Sequence, residues 1–258
     1  MSRARFIWGE GCVAIFGIDT FCRDTIDKEL VANCLKSAQG DTTYLHWLLQ
    51  AWGTAVALSV LALIVAMTFG VLMGILRTTP HRLLVLVGDV WTEMFRNVPL
   101  IVQLFLWYYV VPEFVPPLKS VPPFVLAFIG LGLFTSARIS EQIRAGIQSL
   151  PRGQLYAGLA VGLTLPQTYR YVLLPMAFRI VIPPLTSESM NIVKNSSVAF
   201  AVSVPELAMF YRQAGEETSQ VLMFVAVTLL YFISAFAINR VMKWVEKRVR
   251  VPGMVGGK

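Results

Sequence analysis

"AWGTAVALSVLALIVAMTFGVLMGIL", residues 51–76, contains no Asp, Glu, Lys or Arg. Wound as an α-helix it is ~39 Å long, enough to cross a ~30 Å hydrocarbon core with some tilt. No water is available there for backbone N–H and C=O groups, so the segment must satisfy them internally, as a helix. Arg77, His81 and Arg82 follow at once and mark the return to the interface. Within the stretch, "GVLMG" (residues 70–74) has the small-xxx-small spacing of closely packed helices. His46 and His81 flank it without Cys or carboxylate partners at ligand spacing, so neither is assigned a metal or acid/base role.

The rest of the chain has the same character. Of 258 residues, 56% are hydrophobic and 14% charged, with a mean hydropathy of +0.64; a soluble domain carries about 25% charged residues. The formal charge of +7 suits nucleic acid in principle, but in so apolar a chain it reads as Lys and Arg anchoring cytoplasmic loops. No cleavable leader is expected, because Glu10 and Gly11 interrupt the first apolar run and no small-residue cleavage site follows.

Four further segments read as spans: residues 83–112, 121–147, 175–204 and 221–239. The fold expected is therefore all-α and membrane-integral, with about five transmembrane helices. The second span carries Asp89, Glu93 and Arg96, the third ends with Arg138, Glu141 and Arg144, and the fourth includes Pro183, Pro184, Glu188 and Lys194. The connections after the first and third spans and the C-terminal end are basic, which places them in the cytoplasm and the N-terminus outside. The expected organisation is an N-terminal arm (1–45) on the periplasmic side, a transmembrane domain (46–248) and a cytoplasmic tail (249–258). An outside arm also holds Cys12, Cys22 and Cys34 where a disulfide persists; three thiols close at most one pair.

One segment fits neither a span nor an ordinary loop: "RGQLYAGLAVGLTLPQTYRYVLLP", residues 152–175. It reads as a helix pair, 153–162 and 166–174. Gly162 allows the turn and Pro166 starts the second helix, with Pro175 as the stop. Leu155, Leu159 and Gly162 form a narrow stripe. The small residues Ala157, Gly158 and Ala160 let another surface approach the backbone. An interfacial segment serving only this chain is the blander alternative.

Gly162, nine residues and then "VLLP" ending at Pro175 resembles the coupling-loop signature of ABC importer membrane subunits, E-A-A-x3-G-x9-I-x-L-P. Here Tyr156-Ala157-Gly158 stands for E-A-A and Val172 for Ile. "FRNVPLIVQLF" and "NIVKNSSVA" resemble span motifs of the polar amino acid branch. The long run "SLPRGQLYAGLAVGLTLPQTYRYVLLPMAFRIVIPPLTSE" and the ending "RVRVPGMVGGK" resemble the permease subunit of glutamate/aspartate importers.

The resemblance covers about residue 41 to the end. It implies an ATP-driven importer permease in a bacterial inner membrane. Its coupling loop, 150–175, would dock on an ATPase through Tyr156, Ala157, Gly158, Gly162 and Pro175. The implied partners are two ATP-binding subunits carrying ATP and Mg, a second homologous permease or another copy of this chain, and a periplasmic amino-acid-binding protein. Nucleic acid is not among them. The sequence agrees on one point: it contains no G-x-x-x-x-G-K-[ST] phosphate loop. No cofactor or metal and no catalytic residue is therefore expected in this chain.

Candidate substrate contacts are polar residues inside spans; an ionisable residue there costs about 2.5–3.5 kcal/mol to insert and marks function by default. Arg138 offers a bidentate guanidinium to a carboxylate; pairing with Glu141 or Gln142 on its own helix, or snorkelling, are the alternatives. Asn191, Lys194, Asn195 and Ser197 offer a second half, with Ser187 one turn before Asn191. Lys194 reads more readily as a structural tie to Glu188 or to a carbonyl. By the resemblance, Asn195 stands where many relatives carry Asp, and a neutral amide there suits an anionic ligand. Gln103 and Arg96 are weaker candidates, Arg96 with Glu93 or Asp89 as an alternative partner. An ion-driven secondary transporter competes with this reading but shows no internal repeat, and an intramembrane enzyme lacks any catalytic constellation.

Overall fold

The computed structural model describes residues 44–217 and 220–249. The expected arm with its cysteines and the last nine residues lie outside them. Every described element is helical: α1 (Tyr44–Leu76), α2 (Arg82–Arg96), α3 (Leu100–Phe114), α4 (Pro123–Gln148), α5 (Arg152–Ala160), α6 (Leu165–Thr168), α7 (Leu174–Asn195), α8 (Leu207–Glu217) and α9 (Gln220–Val249). Short 3-10 segments occupy Pro116–Ser120 and Ser196–Val202. The chain divides into two compact units. Of the described residues, one comprises those within 44–54 and 205–230, the other those within 55–204 and 231–249.

Among the described residues, α1, α4 and α9 are long and apolar enough to cross a membrane, and the α2–α3 pair makes a fourth if it is one span. The expected fourth span, 175–204, falls short of that apolar standard because α7 carries Arg179, Glu188 and Lys194 with two internal prolines. The expected second span is not one rod. α2 and α3 meet at a 101° bend, and the cause is Pro99. It lacks the N–H that would bond the Phe95 carbonyl, and it pushes Val98 away from helical geometry. The Gln103 amide replaces the missing donor, reaching the Phe95 oxygen at 2.7 Å and the Val98 oxygen at 3.0 Å. A bend without such a donor would strand a buried carbonyl.

Two other prolines act more gently. The amide of Val111 bonds back five residues to Leu106, just before Pro112, and that of Leu174 to Tyr169, just before Pro175. Each proline would clash with the carbonyl four residues earlier, so the helix widens by one residue and continues. Pro175 is thus not a stop: residues 165–195 run on without a break.

The larger unit is organised around α4, which is buried without interruption from residue 130 to 137. Glycine contacts set its distance from its neighbours. A Cβ on Gly70 or Gly74 of α1 would lie 2.6 Å or 2.7 Å from the Cβ of Ile139 or Ile143 of α4. Reciprocally, a Cβ on Gly132 of α4 would meet Val65 of α1 at 2.6 Å, and one on Gly146 would meet Val181 of α7 at 2.2 Å. The small-xxx-small stretch is therefore a packing face, as read. Phe69 of α1 stacks on Trp91 of α2 at 5.3 Å, and Trp91 donates to the Ser136 hydroxyl of α4 at 3.0 Å.

In the smaller unit, α8 lies between the expected fourth and fifth spans. Glu206, fully buried, caps its first turn by accepting from the Ala208 and Met209 amides. Phe210 packs edge-on against Trp47 at 4.9 Å.

Gly70→Ala is expected to destabilise the detergent-solubilised protein by about 1–3 kcal/mol, since the new methyl meets a branched side chain and the Ser136 carbonyl. Gly53→Ala in the same helix meets nothing within 4 Å and is expected to be neutral or to stabilise by up to about 1 kcal/mol. Thermal unfolding of the two variants side by side reads the difference.

Candidate functional site

The geometry of the α5–α6 hairpin follows directly from its residues. α5 ends at Ala160, and the chain reverses through Gly162 at φ +86°, a conformation open to glycine at no steric cost. The Gly162 amide bonds the Leu159 carbonyl and the Leu163 amide bonds the Gly158 carbonyl, closing the helix end. Thr164 then opens α6 with a capping box: the Gln167 side chain accepts from both the Thr164 amide and its hydroxyl. Pro166 takes the second helical position rather than the first.

The small residues of α5 divide their work. Gly158 faces inward, and a Cβ there would meet the Thr168 methyl at 2.6 Å; it closes the hairpin and is not free for a visitor, contrary to the sequence expectation. Ala157 and Ala160 are exposed, with Tyr156, Leu159 and Val161 beside them. Gly162 has open space where a side chain would project. The outcome is a rigid turn with an apolar outer surface. Pro175 lies beyond the widened turn, at the start of α7.

Three helices share a polar cluster next to this hairpin. One Asp89 oxygen of α2 accepts from Arg77 Nε at 2.7 Å and from Arg144 of α4 at 3.2 Å. Arg77 also reaches the Ser140 hydroxyl at 3.4 Å, and Ser140 bonds Thr92 at 3.1 Å. The stem of Arg77 crosses Gly88 so closely that a Cβ there would lie 2.5 Å from it. Tyr169, in the widened turn, donates its hydroxyl to the Thr78 carbonyl at 2.6 Å.

A second cluster joins α4 to α7. Arg138 is about half exposed. It lies 5.3 Å above the Phe134 ring and 4.0 Å from Glu188 of α7. Gln142 donates to the other Glu188 oxygen at 3.4 Å, and Asn191 faces the same carboxylate. Arg138 therefore pairs with neither Glu141 nor Gln142 of its own helix; both turn to other helices. The contact with Glu188 was not legible from spacing, because it depends on how α4 and α7 lie together.

The remaining candidates separate. Arg96 is held by Glu93 at 2.9 Å and by Glu141 of α4, leaving its guanidinium committed. Gln103 is buried, with its amide spent on the α2–α3 bend and its Oε1 without a protein partner. Asn191 and Asn195 are half-buried on the α7 face that carries Glu188, while Lys194 is exposed. Ser197 donates to the Lys194 carbonyl at 2.7 Å and finishes α7. Among the described residues no three His, Cys, Asp or Glu side chains are placed to hold a metal.

Comparison with known proteins agrees with this anatomy. The family described as "Binding-protein-dependent transport system inner membrane component" matches residues 66–251. The chain is 47% identical over 233 residues to the glutamate/aspartate import permease protein GltJ of Escherichia coli (strain K12), covering 85% of this chain and 94% of that protein. It is 28% identical over 213 residues to the glutamate/aspartate import permease protein GltK of Escherichia coli O6:H1, covering 79% and 94%. An amino acid ABC transporter whose crystal structure contains histidines superposes with a TM-score of 0.70 at 23% identity, over 87% of this chain and 99% of that one; this likeness concerns the fold. The chain belongs to the inner-membrane component family of binding-protein-dependent transport systems, and its capped hairpin and polar helix clusters are parts of a membrane permease.

Proposed function

We propose that this permease carries acidic amino acids, glutamate or aspartate, inward as part of an ATP-driven importer. The observation that carries the reading is the 47% identity to GltJ over 85% of the chain; the family match, residues 66–251, spans both the hairpin and the α4–α7 cluster. Two ATPase subunits, each with ATP and Mg, would dock on the outer surface of the α5–α6 hairpin. A periplasmic binding protein would deliver the ligand. A second permease would complete the path; similarity to GltK as well as GltJ suits a pair of related but distinct chains. The basic connections around Arg77, Arg152 and Arg170 and the Lys- and Arg-rich end of α9 favour a cytoplasmic C-terminus and a periplasmic arm, 1–45. An ion-driven carrier acting alone is the competing reading, and the family match disfavours it.

The chemistry suits the substrate class. Arg138 is a half-exposed guanidinium whose only close anion is Glu188 at 4.0 Å among its described ion pairs, longer than a charge-assisted hydrogen bond of about 2.7–2.9 Å. It can turn its donors to an incoming carboxylate without breaking a tight pair. Asn191 and Asn195 on the facing helix add neutral amides that do not repel an anion. Arg96, by contrast, would first have to leave two carboxylates, and Gln103 would have to release the bend.

Two outcomes are expected. Gly162→Glu forces a side chain into a positive-φ turn and places a carboxylate on the docking surface; uptake and ATPase co-purification should both be lost while membrane insertion persists. Retained ATPase association would count against the docking role. Arg138→Ala should lower uptake of glutamate by about tenfold or more, the scale of a lost charge-assisted contact, with the ATPases still attached. Wild-type uptake in proteoliposomes would remove Arg138 from the site.

A further inference from the structure

The hairpin joins the membrane helices covalently at both ends: α5 follows α4 after residues 149–151, and residues 165–195 are helical without a break, so a displacement of α6 bears on α7. The structure contains a further connection that the chain path does not supply. Tyr169 is buried, and its hydroxyl meets the Thr78 carbonyl at 2.6 Å, across 91 residues of sequence. Thr78 sits in the turn that ends α1, where the Arg77, Thr78 and Thr79 amides bond back to Met73, Ile75 and Leu76. Thr78 lies past the end of α1, and among the described residues the phenol is the donor that holds its carbonyl.

The neighbour of Thr78 is the hub of the three-helix polar cluster. Arg77 is held to Asp89 of α2 at 2.7 Å and to Ser140 of α4 at 3.4 Å, and Asp89 also binds Arg144 of α4. Its stem lies against Gly88, where a Cβ would meet both it and the Met73 carbonyl, at 2.5 Å and 2.9 Å. A pull on the 77–79 turn therefore bears on α1, α2 and α4 together. The widened turn that precedes Pro175 is the segment that carries Tyr169, one residue past α6.

We propose that Tyr169 is a positioning residue that conveys hairpin movement to α1, α2 and α4 through the Thr78 carbonyl and the Arg77–Asp89–Arg144 cluster, in parallel with the direct push on α7. This rests on the hairpin being the ATPase docking element. Two outputs from one lever make α4 and α7 move in concert, and these are the two helices that carry Arg138 and Glu188.

The test is Tyr169→Phe, which keeps the buried ring and removes only the O–H donor, in the complex with its ATPase partners reconstituted in vesicles. Glutamate moved per ATP hydrolysed is expected to fall by at least about fivefold, a typical coupling energy between sites, while the ATPases still co-purify. Wild-type stoichiometry would overturn the proposal, as would loss of ATPase association, which would make Tyr169 a docking residue. A purely structural role would lower thermal stability without changing the ratio at a temperature well below unfolding. Asp89→Asn gives the second measurement: its loss in the ratio and that of Tyr169→Phe should be less than additive in the double variant, and full additivity would overturn the shared route. Failure of the docking role itself would show separately, as Gly162→Glu retaining its ATPases.

Discussion

The close approach of α4 to α1 and α7, set by missing β-carbons, is the constraint on which the larger unit depends. In lipid the helices gain little from burying apolar surface against each other, since the tails are equally apolar, and association relies on tight packing and hydrogen bonds. Gly70, Gly74, Gly132 and Gly146 let Ile139, Ile143, Val65 and Val181 sit where a methyl would otherwise be. That proximity is what brings Arg77 and Arg144 onto one Asp89 oxygen, and Arg138 within reach of Glu188. Charges too costly to bury alone become tolerable once helices lie close enough to share them.

Prolines shape the same helices in different ways. At Pro99 a glutamine side chain supplies the missing donor and the chain bends sharply. Just before Pro112 and Pro175 the Val111 and Leu174 amides reach back five residues, and the helix merely widens. The bend separates α2 from α3, whereas the widened turn keeps α6 and α7 in one rod. The force transmission proposed for the hairpin needs that second solution; a broken helix there would absorb the movement.

The polar residues of the spans sort into two kinds once their partners are seen. Asp89, Arg96 and Gln103 are committed to structure by bonds to other helices or to backbone, and Glu93 by bonds to Arg96 and Asn97 at the end of its own helix. Arg138 is not: its contact with Glu188 is long and its guanidinium half open. A permease site must bind its cargo and then let it go, so a loosely engaged cation suits the task better than a fully satisfied one. Committed charges hold the helices that present it.

The sequence alone determined the elements governed by local chemistry. Uncharged runs of bilayer length become helices because lipid leaves the backbone no other partner. Gly162 reverses the chain because its φ is positive, and Thr164 with Gln167 starts α6. The small-residue face at 70–74 is a packing face in the structure, and the family resemblance is borne out by the comparisons. Only the tertiary structure decided which donors and acceptors meet across helices. It turned Arg138 to Glu188 rather than Glu141, gave Glu141 to Arg96, spent Gln103 on a bend and Gly158 on Thr168, and brought Tyr169 to Thr78. The physical reason is that helical periodicity tells which residues share a face of one helix, while the partner across the gap depends on the distance and rotation of a second helix, and these are set by packing among residues far apart in the chain.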